Sequence, residues 1–201
     1  NGPQLLLNGA ECEPYISCDE ALMRERAVDI VFGARALLHA LCATNCTIAI
    51  EDDVPEAQQA LSRAIEKAAD SRIRIRVVPA IYPAGGERQL IATVFGVEVP
   101  HDGLPADISV VCQNVGTAAA IARWIRDRQP LISRIVTVTG DGIRDAANLE
   151  TRIGTPFAGL IADCGGYSEG MSRHIMGGSM MGAPLPHDDL PVVKATNCVV
   201  G

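Results

Sequence analysis

At 201 residues, with a formal net charge of −7 and an isoelectric point near 5.0, the chain has room for one large domain or two small ones, either with a real hydrophobic core. The acidic balance excludes a general nucleic-acid binder, which needs clustered Lys and Arg to neutralise phosphates. No apolar run approaches the roughly 20 residues that span a bilayer and no basic, signal-type leader opens the chain, so a soluble piece is expected, one able to dock on a membrane assembly.

In chain order, residues 5–10 (Leu-Leu-Leu-Asn-Gly-Ala) read as a strand. Ser17 and Glu20 have capping-box spacing, and the helix they open carries Leu22, Val28, Val31, Leu38 and Leu41 on one broad apolar face. Residues 46–50 read as a second strand; Asp53 with Pro55 then starts a helix whose apolar side runs Ala57, Leu61, Ala64, Ile65, Ala68. Residues 72–78 alternate Arg72, Arg74 and Arg76 with Ile73, Ile75 and Val77, the pattern of a half-exposed strand near a sheet edge. A helix over 86–95, a buried strand over 108–112 and a helix over 116–126 complete a repeating order that predicts an α/β fold, a mainly parallel sheet with helices on its faces.

After Gln129-Pro130 the pattern changes. Residues 135–139 and 149–153 bracket a Gly- and Asp-rich turn as a hairpin would, and a short helix follows over 156–164. A Gly- and Met-rich loop, 177–182, leads through Pro184 and Pro186 to a final strand over 192–195. This describes a small α+β unit with its boundary near residues 128–131. The methionines read first as flexible core filling and second as a ligand platform. The seven cysteines are odd in number and irregularly spaced, and most lie in apolar runs, so they read as reduced, mostly buried thiols.

Ligands of open parallel sheets bind beyond the carboxyl ends of the strands. Three segments meet at that edge: "NGAECEPY" at 8–15, "YPAGGER" at 82–88 and "QNVGT" at 113–117. Gln113-Asn114-Val115-Gly116-Thr117 sits between a strand and a helix start, where free backbone N–H groups and the helix dipole favour an anion; a phosphate fits, and so does a plain helix cap by Asn114 or Thr117. In the second segment, Gly85 and Gly86 let a flat ligand approach the backbone beside Tyr82 and Glu87. Glu11 and Glu13 are suited to accept hydrogen bonds from hydroxyls or amides. No His or Asp accompanies them at metal-ligand spacing, and no histidine adjoins Cys12, so neither a metal site nor a catalytic residue is expected.

"NGAECEPY", "YPAGGERQL", "QNVGTA", "VTVTGDG", "RIGTPF", "IMGGSMMG" and "PVVKATNC", in this order, resemble the C subunit of the Rnf (Rsx) ion-translocating electron transport complex, a relative of the FMN- and NADH-binding subunit of respiratory complex I. The resemblance implies a Rossmann-like FMN/NADH-binding domain over residues 1–129 and a β-grasp soluble-ligand-binding domain with a return strand over 130–201. It implies hydride exchange between NADH and FMN, after which electrons leave singly through iron-sulfur clusters, coupled to ion translocation. Asn8 and Glu11 would lie by the flavin; Tyr82, Gly85, Gly86 and Glu87 would line the flavin and nicotinamide cleft; Gln113, Asn114 and Thr117 would hold the phosphate end.

The same resemblance implies partners among the other subunits of the complex, at the cytoplasmic face of the bacterial inner membrane. The family's glycine-rich flavin loop is expected before Asn1, and the cysteine-rich segment that carries two 4Fe-4S clusters after residue 201, so the chain reads as a central fragment holding part of a flavin site and no cluster ligands. Gly86 stands where the complex I relatives carry a second acid. Two alternatives stay open: a cobalamin reductase of similar architecture, and a non-catalytic docking or ligand-binding module.

Overall fold

The computed structural model describes residues 2–171 and 173–201. The chain divides into two compact units, one of Asn1–Cys12 with Asp19–Pro130 and one of Glu13–Cys18 with Leu131–Gly201.

The first unit runs β1 (Gln4–Gly9), α1 (Cys18–Glu25), α2 (Ala27–Ala40), β2 (Asn45–Glu51), α3 (Pro55–Ala68), β3 (Ile73–Val78), α4 (Glu87–Phe95), β4 (Val110–Asn114) and α5 (Val115–Asp127). Its four strands are all parallel, in the order β3-β2-β1-β4. Leu5, Leu6 and Leu7 are consecutive and fully buried, as in an inner parallel strand covered on both faces. The arginine-bearing strand β3 is at the sheet edge, as its alternation predicts. Helices α2 and α5 approach closely enough that a Cβ on Gly33 would lie 1.9 Å from the Ala118 carbonyl oxygen, so glycine is required there. Arg126 of α5 pairs with Asp29 of α2 at 2.6 Å.

The single helix expected from Ser17 to Leu41 is two. Arg26 leaves helical backbone angles (φ −127°) between α1 and α2, and the bend turns Ile30, Val31, Ala34 and Leu38 inward while Val28 stays 57% exposed. The fourth strand begins later than expected, at Val110, because Pro105–Ile108 forms a 3-10 turn.

The second unit runs β5 (Ser133–Thr139), β6 (Ala147–Arg152), α6 (Phe157–Asp163), β7 (His174–Met176), β8 (Ala183–Leu185) and β9 (Cys198–Val200). Its mixed sheet has the order β6-β5-β9-β7-β8, with β5 and β6 antiparallel and β9 parallel to β5. Val136, Val138, Phe157, Leu160, Ile161, Val192 and Val199 form its core. The expected strand over 192–195 is instead a loop: Thr196 Oγ1 accepts from the Val193 N–H and the Thr196 N–H returns to the Val193 carbonyl, closing a turn. The terminal strand is β9. Met176 packs partly on the core, but Met180 and Met181, between β7 and β8, are 53% and 72% exposed, so core filling does not describe them.

Residues Glu13–Cys18 belong to this second unit. The Ser17 N–H donates to Thr137 Oγ1 at 3.1 Å, and Asn148 Nδ2 donates to the Ser17 hydroxyl oxygen at 3.0 Å. Glu13 Oε2 accepts from the backbone N–H groups of Met180 and Met181, each at 3.1 Å. A Cβ on Gly178 would stand 1.9 Å from that same carboxylate oxygen, so the absence of a side chain at 178 makes the contact possible. Among the described residues no helix is long and apolar enough to cross a membrane.

Candidate functional site

Parallel pairing brings the carboxyl ends of β1, β2, β3 and β4 to one edge of the first unit. Asn8, near the end of β1, joins two of the expected segments: its Nδ2 donates to the Gly85 carbonyl at 2.9 Å and its Oδ1 accepts from the Ala10 N–H at 3.0 Å. Gly85 packs directly on the β1 loop. A Cβ there would lie 2.5 Å from the Ala10 carbonyl oxygen and 2.9 Å from Cys12 Sγ. The glycine is therefore needed for loop-to-loop contact, and Cys12 is packed against it rather than presented as a nucleophile. Gly86 caps α4 with ordinary extended angles (φ −64°, ψ 137°), so its backbone does not demand glycine.

Tyr82 is 41% exposed and precedes a cis peptide bond to Pro83. Glu87 is exposed at the start of α4, close enough to β4 that its charge, after burial, contributes to raising the Cys112 thiol to about 12. Arg88, a residue the sequence reading passed over, donates to the carbonyls of Pro100 and Gly103 at 2.8 and 2.7 Å and fixes the loop after α4.

The third segment is a strand end running straight into α5. Gln113 lies in register with Leu7, and Asn114 is the N-cap of α5. Asn114 Oδ1 accepts from the Gly116 N–H at 2.7 Å, while its Nδ2 donates to the Asp19 carboxylate and, at 3.4 Å, to the Asn8 carbonyl. The helix-cap reading thus accounts for the Asn114 side chain. An anion at this helix start would rest on the remaining first-turn N–H groups and on the hydroxyl-bearing Thr117, with Asp19 limiting how far a negative charge approaches Asn114. Glu11 Oε2 accepts from the Glu20 N–H at 2.8 Å, tying the β1 loop to the first turn of α1.

One residue that the sequence reading missed lies at the centre of this edge. Glu51 ends β2, opposite Val78 of β3, and is only 6% exposed. Its carboxyl accepts the backbone N–H of Glu11, yet Oε1 is buried without any partner. Burial, and next the negative charge of Asp53, raise it from 4.5 to about 7, against the lowering effect of the Glu11 N–H. The available signal was a carboxylate joined directly to the apolar run Cys46-Thr-Ile-Ala-Ile50, the first of the three acids Glu51-Asp52-Asp53.

These residues fit a flavin nucleotide in kind. The edge offers amide donors and acceptors from Asn8 and the β1 loop, an orphaned buried carboxyl oxygen on Glu51, and a 13-residue helix whose first turn faces the same side as the β1 loop through the Asn114–Asn8 contact.

The model of the Nuo51 FMN-binding domain matches residues 1–123, and that of the SLBB domain matches residues 135–184. The chain belongs to the Nuo51 FMN-binding domain family. It is 47% identical to the C subunit of the ion-translocating oxidoreductase complex of Pseudomonas aeruginosa and 45% identical to the same subunit from Rhodobacter capsulatus, each over 98% of its own length. It spans 25% and 38% of those two relatives, so it corresponds to a part of them. This is the subunit that the seven quoted motifs resemble. Among solved structures, an NAD+-reducing NiFe hydrogenase in its H2-reduced state superposes with a TM-score of 0.78 at 18% identity, over 98% of this chain and 40% of that one, a likeness of fold.

Proposed function

We propose that the chain is the flavin- and nicotinamide-handling part of an electron-transport subunit. In this reading NADH passes hydride to FMN, and electrons leave singly for 4Fe-4S clusters carried by parts of the subunit beyond the sequence described, in a complex coupled to ion translocation at the cytoplasmic face of the membrane. The observation that carries it is the bond from Asn8 to Gly85, which draws the β1 and β3 loops into one wall beside the start of α5. Membership of an FMN-binding family and relatives named as subunits of an oxidoreductase complex support it.

When bound, FMN supplies the two-electron to one-electron conversion. The chain's contribution is positioning. Asn8, Glu11 and the Gly85-Gly86 backbone would hold the flavin ring system, and Tyr82 and Glu87 would contact the nicotinamide. Gln113, Asn114 and Thr117 would hold the phosphate end, Asn114 by shaping the helix start and Thr117 by donating from its hydroxyl. No general acid or base is required of the carboxylates for hydride transfer itself.

The test is FMN affinity of the full-length protein. Thr117→Val, at a site that is not buried, is expected to weaken FMN about tenfold while leaving the unfolding midpoint unchanged. Asn114→Ala is expected to weaken it as well, and to cost about 1 kcal/mol of stability as a lost cap. Unchanged affinity in both variants overturns the phosphate site.

A further inference from the structure

We propose that Glu51 is a positioning residue that makes the hold on the β1 loop, and with it flavin affinity, depend on a single proton. The inference rests on the flavin reading above only for its second half; the first half concerns the loop alone. Glu51 grips the loop from beneath: one carboxyl oxygen accepts the Glu11 N–H, its backbone carbonyl accepts from Gln58 Nε2 at 2.7 Å, and only 6% of the residue's surface is exposed. A carboxylate is a much stronger acceptor for that amide than a neutral carboxyl group. Proton uptake therefore slackens the bond to Glu11, whose own side chain anchors α1 through the Glu20 N–H. The orphaned Oε1 gives the proton a place to reside without displacing a partner.

The charged groups acting on Glu51 are Asp53 and Asp52 on its own turn; across the sheet β3 presents Val78, and α3 presents Gln58, neither of which titrates. Burial first, and then the two aspartates, disfavour a further negative charge on Glu51, which brings the transition toward neutral pH, where the grip changes. Glu11, whose amide is held, contributes through its backbone rather than its charge.

Two measurements test this, on wild type and on Glu51→Gln, which keeps an acceptor oxygen and cannot titrate. In the ligand-free protein, amide hydrogen exchange at Glu11, corrected for intrinsic rates, is expected to lose about tenfold protection between pH 8 and pH 6 in wild type and to stay level in Glu51→Gln. In the full-length protein, FMN affinity is expected to fall over the same interval by about fivefold more in wild type than in the variant; the variant corrects for titration of the FMN phosphate itself, near pH 6. Level protection at Glu11 in wild type, or an equal slope in the variant, overturns the anchor. A protection step at Glu11 without FMN binding in any form of the full-length protein upholds the anchor and overturns the flavin reading.

Discussion

Replacing Glu51 with Gln isolates the energetic consequence of ending a buried strand on a carboxylate. Burial and Asp53 raise the group from 4.5 to about 7 in the folded chain. Between those two values the folded state holds a proton that the unfolded state has released, so stability falls as pH rises. The contribution is fully present below pH 4.5 and lost above pH 7, at about 1.4 kcal/mol per pH unit over the interval. Glutamine carries none of this linkage. Urea unfolding followed by the fluorescence of Trp124, the single tryptophan, reports on the first unit. The variant is expected to gain on wild type by about 2–3 kcal/mol between pH 5 and pH 8, with the difference levelling off above pH 7. A difference that stays constant within about 0.5 kcal/mol across that range refutes the assignment of a buried, charge-averse carboxyl at the end of β2.

Four further outcomes are expected. Gly33→Ala drives a methyl into the Ala118 carbonyl at the crossing of α2 and α5 and should cost about 3 kcal/mol in urea unfolding. Gly85→Ala should cost about 2 kcal/mol and release the Asn8 side chain, seen as altered amide shifts at Ala10. Glu13→Ala removes the acceptor shared by Met180 and Met181, and hydrogen exchange at those two amides should speed up about fivefold while the β5 core stays protected. His174, whose two ring nitrogens are shielded and unpartnered beside Tyr167, should tolerate Phe with a gain of about 1 kcal/mol in thermal unfolding of the second unit.

The α/β half was legible because its signals are local and strong. Triple leucine marked the buried strand, Pro55 the helix start, and alternating arginines the sheet edge, and each of these depends on a pattern the chain displays in one stretch. The second unit was harder. Its β7, β8 and β9 are three residues each, too short to show a period, and what makes them strands is pairing: β8 with its neighbour β7, and β9 with β7 and with the distant β5. Hydrogen bonds join Asn8 to Gly85 and Asn114 to Asn8 at one edge, but the partners that hold the neighbouring groups, Asp19 for Asn114 and Glu20 for Glu11, join across folds of the chain that spacing alone does not reveal. Glu51 escaped notice because a terminal carboxylate on a strand looks like a solvated end; only the neighbouring loop closes over it.

The short excursion of Glu13–Cys18 into the second unit changes what counts as a separable part of this molecule. A cut after Pro130 gives two pieces, neither self-sufficient: the later piece lacks the strip that meets Thr137, Asn148 and the Met180 loop, and the earlier one keeps that strip with nothing to satisfy it. During synthesis the strip emerges more than a hundred residues before its partners, so the second unit cannot complete itself until the segment carrying Met180 and Met181 has been made. Exchange of modules between relatives is constrained in the same way: a transplanted second unit would have to arrive with a matching six-residue insert inside the β1 loop of its new host.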